Sequence, residues 1–208
     1  MIKWRKYGLY FLILVYISGA IGVVYNPEFF LPFTPFTLLY TCIVFLCYQP
    51  VKNLKFTLAF IGIAIIGFVS EVIGVKTGLI FGHYYYGNTL GTKLLAVPLT
   101  ISINWALFIS MGILISSYFL KNKWVIAIVS SLIVTSIDVL IEQLASNIDF
   151  WHFKNELAGI HNYIGWMVIT FITTLFFQEP IKKGSIPISF IILCLQLFFF
   201  GLIFIINF

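Results

Sequence analysis

Two acidic side chains, Asp138 and Glu142, stand four residues apart within an apolar segment. In a helix this spacing places both on one face, and deep in a membrane each ionised carboxylate is costly. At least one of them is therefore expected to be protonated and able to deliver a proton, which is the chemistry of a general acid. The structural alternative is that either acid only bonds to a neighbouring helix, for example to Asn104 or Thr135.

A third acid and an amide are expected at the same depth. At a rise of about 1.5 Å per residue, Asp138 stands roughly 21 Å above the inner end of its span, and Glu71 stands at a similar height. Asn104 lies roughly 12 Å below the outer end of another span. These groups are expected to share one polar layer, unless Glu71 instead contacts water or Lys76.

Two segments outside the apolar runs carry aromatic and amide side chains. Residues 77–91 are rich in Gly and Tyr, including Tyr84 and Tyr86, so they cannot form one regular helix. They are interpreted either as a re-entrant or lid segment over the bundle or as an interfacial aromatic belt. Residues 149–166 carry Trp151, then Asn162, which is expected to cap a helix, and Trp166 one turn deeper, facing either a cavity or lipid.

Neither the histidines nor the cysteines have the spacing of a metal site. His83, His152 and His161 form no His-x-x-x-His or Glu-x-x-His pair, so no metal is expected. The three cysteines lie singly within apolar runs and are interpreted as packing residues.

Composition decides the fold class. Of 208 residues, 61% are hydrophobic and 9% charged, which is far more apolar than a soluble domain. Since transmembrane helices need about 20 apolar residues, we predict an all-α, polytopic membrane bundle of about seven helices in a single domain, 1–208. The spans are expected near 7–25, 36–50, 56–74, 95–118, 124–145, 162–178 and 186–206. The first is interpreted as a retained span, and Pro27, Pro32 and Pro35 as part of the first connection.

The basic residues indicate orientation rather than a nucleic-acid partner, because they flank apolar runs instead of forming a patch. Nine of the twelve fall in four sets on one side of the predicted topology: Lys3, Arg5, Lys6; Lys52, Lys55; Lys121, Lys123; Lys182, Lys183. Cytoplasmic loops retain Lys and Arg, so the N-terminus is predicted inside and the C-terminus outside. Most other ionisable groups, Glu156 among them, then fall toward the outer half.

Several motifs between residues 60 and 170 resemble one known family. They are the run from Glu71 to Tyr86, with Leu90-Gly91 and Val97-Pro98, then Asn104-Trp105, Asp138 with Glu142, Phe150-Trp151, and Asn162-Tyr163-Ile164-Gly165-Trp166. This pattern is similar to the carotenoid biosynthesis membrane-protein family, which contains carotenoid 1,2-hydratases of the bisanhydrobacterioruberin and γ-carotene type. The sequence departs from this pattern at two places. Gln143 stands where Pro is expected after the second acid, and His152-Phe153 stands where Trp or Tyr is expected after Trp151.

The resemblance implies the addition of water to the terminal 1,2 double bond of an acyclic carotenoid, without a cofactor, in the cell (inner) membrane. Asp138 or Glu142 would donate the proton, and Glu71 or Asn104 would orient the water. Aromatic faces would stabilise the carbocation, drawn from Tyr84, Tyr86, Trp105, Trp151 and Trp166. The partners it implies are the carotenoid and membrane lipid, and association with other carotenoid enzymes is compatible with it.

Other functions remain open at this point. A membrane lycopene cyclase would use the same cation but let an internal alkene capture it. A carotenoid-binding or transport protein would need no catalysis, although transporters commonly place their site near the midplane between repeated halves. A prenyltransferase is disfavoured because no pair of aspartate-rich motifs is present.

Overall fold

The computed structural model describes residues 2–154 and 157–207; Glu156 lies outside them. The helices are α1 (Ile2–Tyr25), α2 (Pro27–Phe30), α3 (Thr34–Cys47), α4 (Leu54–Thr77), α5 (Leu99–Phe119), α6 (Lys123–Ala145), α7 (Ile160–Ile181) and α8 (Ile186–Asn207). The short strands are β1 (Tyr84–Tyr86), β2 (Lys93–Leu94), β3 (Val97–Pro98) and β4 (Trp151–Phe153). Within the described residues, seven helical segments are long and apolar enough to cross a membrane, with α2 and α3 joined into one. The predicted all-α membrane bundle is confirmed.

The proline-rich segment before α3 is helical, so the prediction that it forms a connection was wrong. The second spanning segment runs over Pro27–Cys47, whereas the sequence suggested 36–50. Asn26 caps its start, where Oδ1 accepts a hydrogen bond from the Phe29 backbone N–H at 3.2 Å. Pro27 and the two later prolines each stand in the first turn of a helical stretch, where a missing N–H costs little.

The start of α5 also differs from its prediction. Residues 93–98, of which the last four were expected to be helical, form a hairpin in which Lys93 pairs with Pro98 and Leu94 with Val97. Its two-residue turn, Leu95 and Ala96, has φ values of 54° and 69°, as tight hairpins require. The helix therefore begins only at Leu99.

Helix α5 is the centre of the bundle, and most of its residues are buried. It packs against α3, α4, α6, α7 and α8, while α6 and α7 form a close neighbouring pair and α1 packs on α8. The outer helices expose many large apolar side chains on one face, which suits contact with lipid.

The basic ends of the helices lie together. Gln178 Nε2 on α7 donates to the Lys123 backbone oxygen at 3.3 Å, and Gln49 Oε1 accepts from the Ser185 backbone N–H at 2.7 Å. These bonds join the end of α3, the start of α6 and the α7–α8 connection at one end of the bundle. That this end is cytoplasmic stays a prediction from the charge pattern.

Candidate active site

Glu71, on α4, lies in the interior with only 3% of its surface exposed. Its Oε2 accepts hydrogen bonds from the Tyr84 hydroxyl and, at 2.7 Å, from the Tyr86 hydroxyl. Its Oε1 accepts from Trp105 Nε1 at 2.8 Å. All three partners are donors, as an ionised carboxylate requires. These bonds contradict the alternative that Glu71 pairs with Lys76, and the burial of Glu71 contradicts contact with the solvent outside the bundle.

Both tyrosines are aimed at Glu71 by a short pair of strands. Strand β1 pairs antiparallel with β4, so that Tyr84 lies opposite Phe153 and Tyr86 opposite Trp151. Because side chains alternate along a strand, Tyr84 and Tyr86 point inward, while Tyr85 is 61% exposed. The segment 77–91 thus contributes to a lid over the site.

Glycine makes room for the indole of Trp105. A Cβ atom at Gly67, one turn before Glu71, would overlap the Trp105 side chain. The Trp105 ring also stacks on that of Trp166, with centroids 3.9 Å apart and planes at 4°. The close approach of α4 and α5 at this point therefore fixes the indole N–H that binds Glu71.

The second pair of carboxyls is held by one amide. Nδ2 of Asn162 donates to Asp138 Oδ2 and to Glu142 Oε1, both at 2.9 Å. Trp151 Nε1 donates to Glu142 Oε2 at 3.0 Å. Asp138 Oδ1 has no hydrogen-bond partner within the described residues. The expectation that Asn162 caps α7 was wrong, because the helix starts after Gly159 and the Asn162 side chain faces α6.

Most of the residues predicted from the sequence surround one small cavity of about 20 Å³, which has room for about one water molecule. Of those residues, its wall includes Glu71, Tyr84, Tyr86, Asn104, Asp138, Glu142, Trp151, Asn162 and Trp166. Trp105 does not line it but binds Glu71 and stacks on Trp166. The structure thus brings three carboxyl groups from two helices to one space.

A second, larger cavity of about 570 Å³ adjoins the first. It is lined mostly by apolar side chains of α1, α2, α3, α5 and α8, and the two cavities share Ile101, Asn104, Phe108, Ile141 and Trp151. Sequence reasoning did not find this cavity. Its apolar lining in α1, α3 and α8 has the same composition as a lipid-facing surface, so the sequence carried no signal for it.

Comparison with known proteins identifies the family of this chain. The family model described as "Carotenoid biosynthesis protein" matches residues 33–207. The chain belongs to the carotenoid biosynthesis protein family. The sequence-based identification is therefore confirmed, and the match extends beyond the 60–170 segment that carried it.

One curated relative is a bisanhydrobacterioruberin hydratase of Haloarcula japonica, 25% identical over 185 residues. The alignment covers 81% of this chain and 63% of that relative, so the chain spans less than two thirds of its length. No solved structure matches.

The lid formed by the segment 77–91 is held to residues 149–153 by hydrogen bonds. The Asn88 backbone N–H donates to Asp149 Oδ2 at 2.7 Å, and this bond, together with His152 at 2.8 Å from Oδ1, lowers the pKa of Asp149. Burial, and then the nearby Glu71 charge, raise the pKa of Tyr84 and Tyr86 well above the usual value. Both hydroxyls therefore keep their protons and act as donors.

Among the described residues, no cluster of three or more His, Cys, Asp or Glu side chains could hold a metal.

Proposed function

We propose that this protein is a carotenoid 1,2-hydratase that adds water to the terminal 1,2 double bond of an acyclic carotenoid end group. The observation that carries the proposal is the position of Asp138 and Glu142. The two acids share one amide beside a cavity for one water, and that cavity adjoins a large apolar one. The name of the Haloarcula japonica relative supports the same reaction class.

The larger cavity suits an isoprenoid chain. Its volume of about 570 Å³ is in the usual range of ligand sites, and its wall is largely apolar. Lining residues on α1 and α3, including Phe11, Phe36 and Ile43, are also exposed on the outer surface of the bundle. A carotenoid would therefore enter from lipid between α1 and α3 and place its end group against the wall shared with the polar cavity.

Asp138 is the proposed proton donor, since it lines the small cavity and its Oδ1 has no partner within the described residues, while both oxygens of Glu142 are bonded. The π electrons of the alkene bind the acid proton at C2, and the O–H electron pair stays on the carboxylate. This leaves a tertiary cation at C1. In the low dielectric of the bundle, the attraction between a nearby negative charge and that cation is stronger than it would be in water.

Glu71 is proposed to stabilise the cation as a fixed negative charge. Its three donors hold the carboxylate in place, and the ring of Trp166, which lines the small cavity, adds a cation–π contribution. A water lone pair then forms the C–O bond at C1. The extra proton of that oxygen passes to the carboxylate of Asp138, either directly or through Glu142, which shares the Asn162 amide with it. One water is thus consumed, and the acid form of Asp138 is restored.

Expression in a host that makes an acyclic carotenoid tests the proposal. The expected product has gained the mass of one water and carries a tertiary hydroxyl, as read by mass spectrometry against a host without the gene. A product of unchanged mass but altered retention would indicate a cyclase instead. Pigment that copurifies unmodified would indicate binding or transport and would reject the hydratase.

We further propose that the protein acts in the cell membrane with its C-terminus outside, where other carotenoid enzymes would be its neighbours.

A further inference from the structure

Asn104 occupies a distinctive position between the two cavities. Among the five side chains that border both, three are aliphatic or phenyl groups, and the indole N–H of Trp151 is bonded to Glu142. The fifth is Asn104, on α5, whose side chain is partly exposed. No hydrogen bond involves its amide within residues 2–154 and 157–207. It is thus a free amide at the point where the polar cavity meets the apolar one.

We propose that Asn104 is the residue that decides the fate of the carbocation, because it holds the attacking water at this boundary. The inference rests on the proposed function and deepens it. A buried water needs two to four polar partners, and the amide oxygen of Asn104 accepts one of its hydrogens. The water oxygen then keeps a lone pair free toward the apolar cavity, where the cation forms.

Three fates are open to a tertiary cation at C1. A water lone pair can form a C–O bond and give the alcohol. A carboxylate can remove a proton from a neighbouring carbon, whose C–H electrons form a new double bond. An internal alkene can attack and close a ring before a proton leaves. The last two conserve the mass of the carotenoid, so the share of water-added product reports whether a water is held in place.

Asn104→Leu, carried out in D2O, tests the assignment. Leucine has nearly the same size but cannot bind water. In D2O the acid delivers deuterium, so any carotenoid that was protonated and then lost a different hydrogen becomes one mass unit heavier. We expect the water-added share to fall about tenfold, the effect of one neutral buried hydrogen bond. Deuterium should still enter the recovered, unhydrated carotenoid.

Two further variants act as controls. Asn104→Gln keeps the amide and should recover part of the water-added share. Ile101→Leu reshapes the same shared wall without changing a polar group, and its ratio of water-added to unhydrated, deuterated product should match that of the wild type, whatever its total turnover. Thermal unfolding of each variant in detergent shows whether the fold is kept.

The possible outcomes separate the two proposals. A wild-type share of alcohol from Asn104→Leu would overturn the role of Asn104. So would a joint loss of alcohol and deuterium in a folded variant, because the residue would then be needed before the cation forms. If the wild-type protein yields neither alcohol nor deuterated carotenoid, the hydratase itself is rejected, and the role of Asn104 with it.

Discussion

Replacement of Asp138 by asparagine removes a proton and almost nothing else. The carboxyl and the carboxamide have the same shape, and the new side-chain oxygen can still accept the bond that Asn162 Nδ2 makes at 2.9 Å. The residue is 3% exposed and packed within α6, so the variant should fold with a thermal unfolding temperature close to that of the wild type. What it loses is the acid that faces the cavity.

The expected loss of activity is large. A positioned general acid contributes about 10²–10⁴ in rate, and a thousandfold loss corresponds to about 4 kcal/mol in the activation barrier. Glu142→Gln is the matched comparison. Both Glu142 oxygens accept hydrogen bonds, so glutamine turns its NH2 toward one donor and loses about one bond. That cost is about 1–1.5 kcal/mol, or roughly tenfold in rate.

The assay measures the initial rate of alcohol formation by purified protein in detergent. The carotenoid products are separated by chromatography and identified by their mass in mass spectrometry. Asp138→Asn should lose at least about ten times more activity than Glu142→Gln. The reverse order would assign the proton to Glu142. Full activity in both variants would refute the reasoning, because neither of these two acids would then be protonating the alkene.

Three further predictions concern the parts that hold the site. Glu71→Leu leaves three buried donors unpaired, at about 1–3 kcal/mol each, and should lower the unfolding temperature clearly more than Glu71→Gln does. Gly67→Ala should displace Trp105 and reduce stability and activity, whereas Gly201→Ala, which meets open space, should not. Asp149 has a lowered pKa, so its bonds stabilise the lid above about pH 4 and are lost as the pH falls through that lowered value. The rate of hydrogen exchange at the backbone amides of the lid, measured relative to that of α5, should rise only below pH 4. A rise between pH 5 and 8 would contradict this.

The aromatic residues show where sequence reasoning was incomplete. Tyr84 and Tyr86 were expected to present ring faces to a cation, and their rings do line the small cavity. Their hydroxyls, however, bind Glu71, which only the pairing of β1 with β4 makes possible. That pairing joins segments more than 60 residues apart, and a strand of three residues leaves too short a pattern to be recognised beforehand.

The amide of Asn162 shows the same limit on a helix. Its place at the start of α7 suggested a cap, but the antiparallel packing of α6 and α7 turns it toward two carboxyls 20 and 24 residues away. Whether an amide caps its own helix or binds a neighbour depends on the rotation of that helix, and rotation is decided by packing.

The sequence by itself determined the number of spanning helices, the end at which the basic residues gather, and the common level of Asp138, Glu142 and Glu71 in the bundle. These follow from local apolar length and from a constant rise per residue. Only the tertiary structure decided which donor each carboxyl receives, which contacts hold the lid in place, and where the apolar cavity lies. Those features depend on contacts between distant segments, and the same apolar residue types are found at positions that face a cavity and at positions that face lipid.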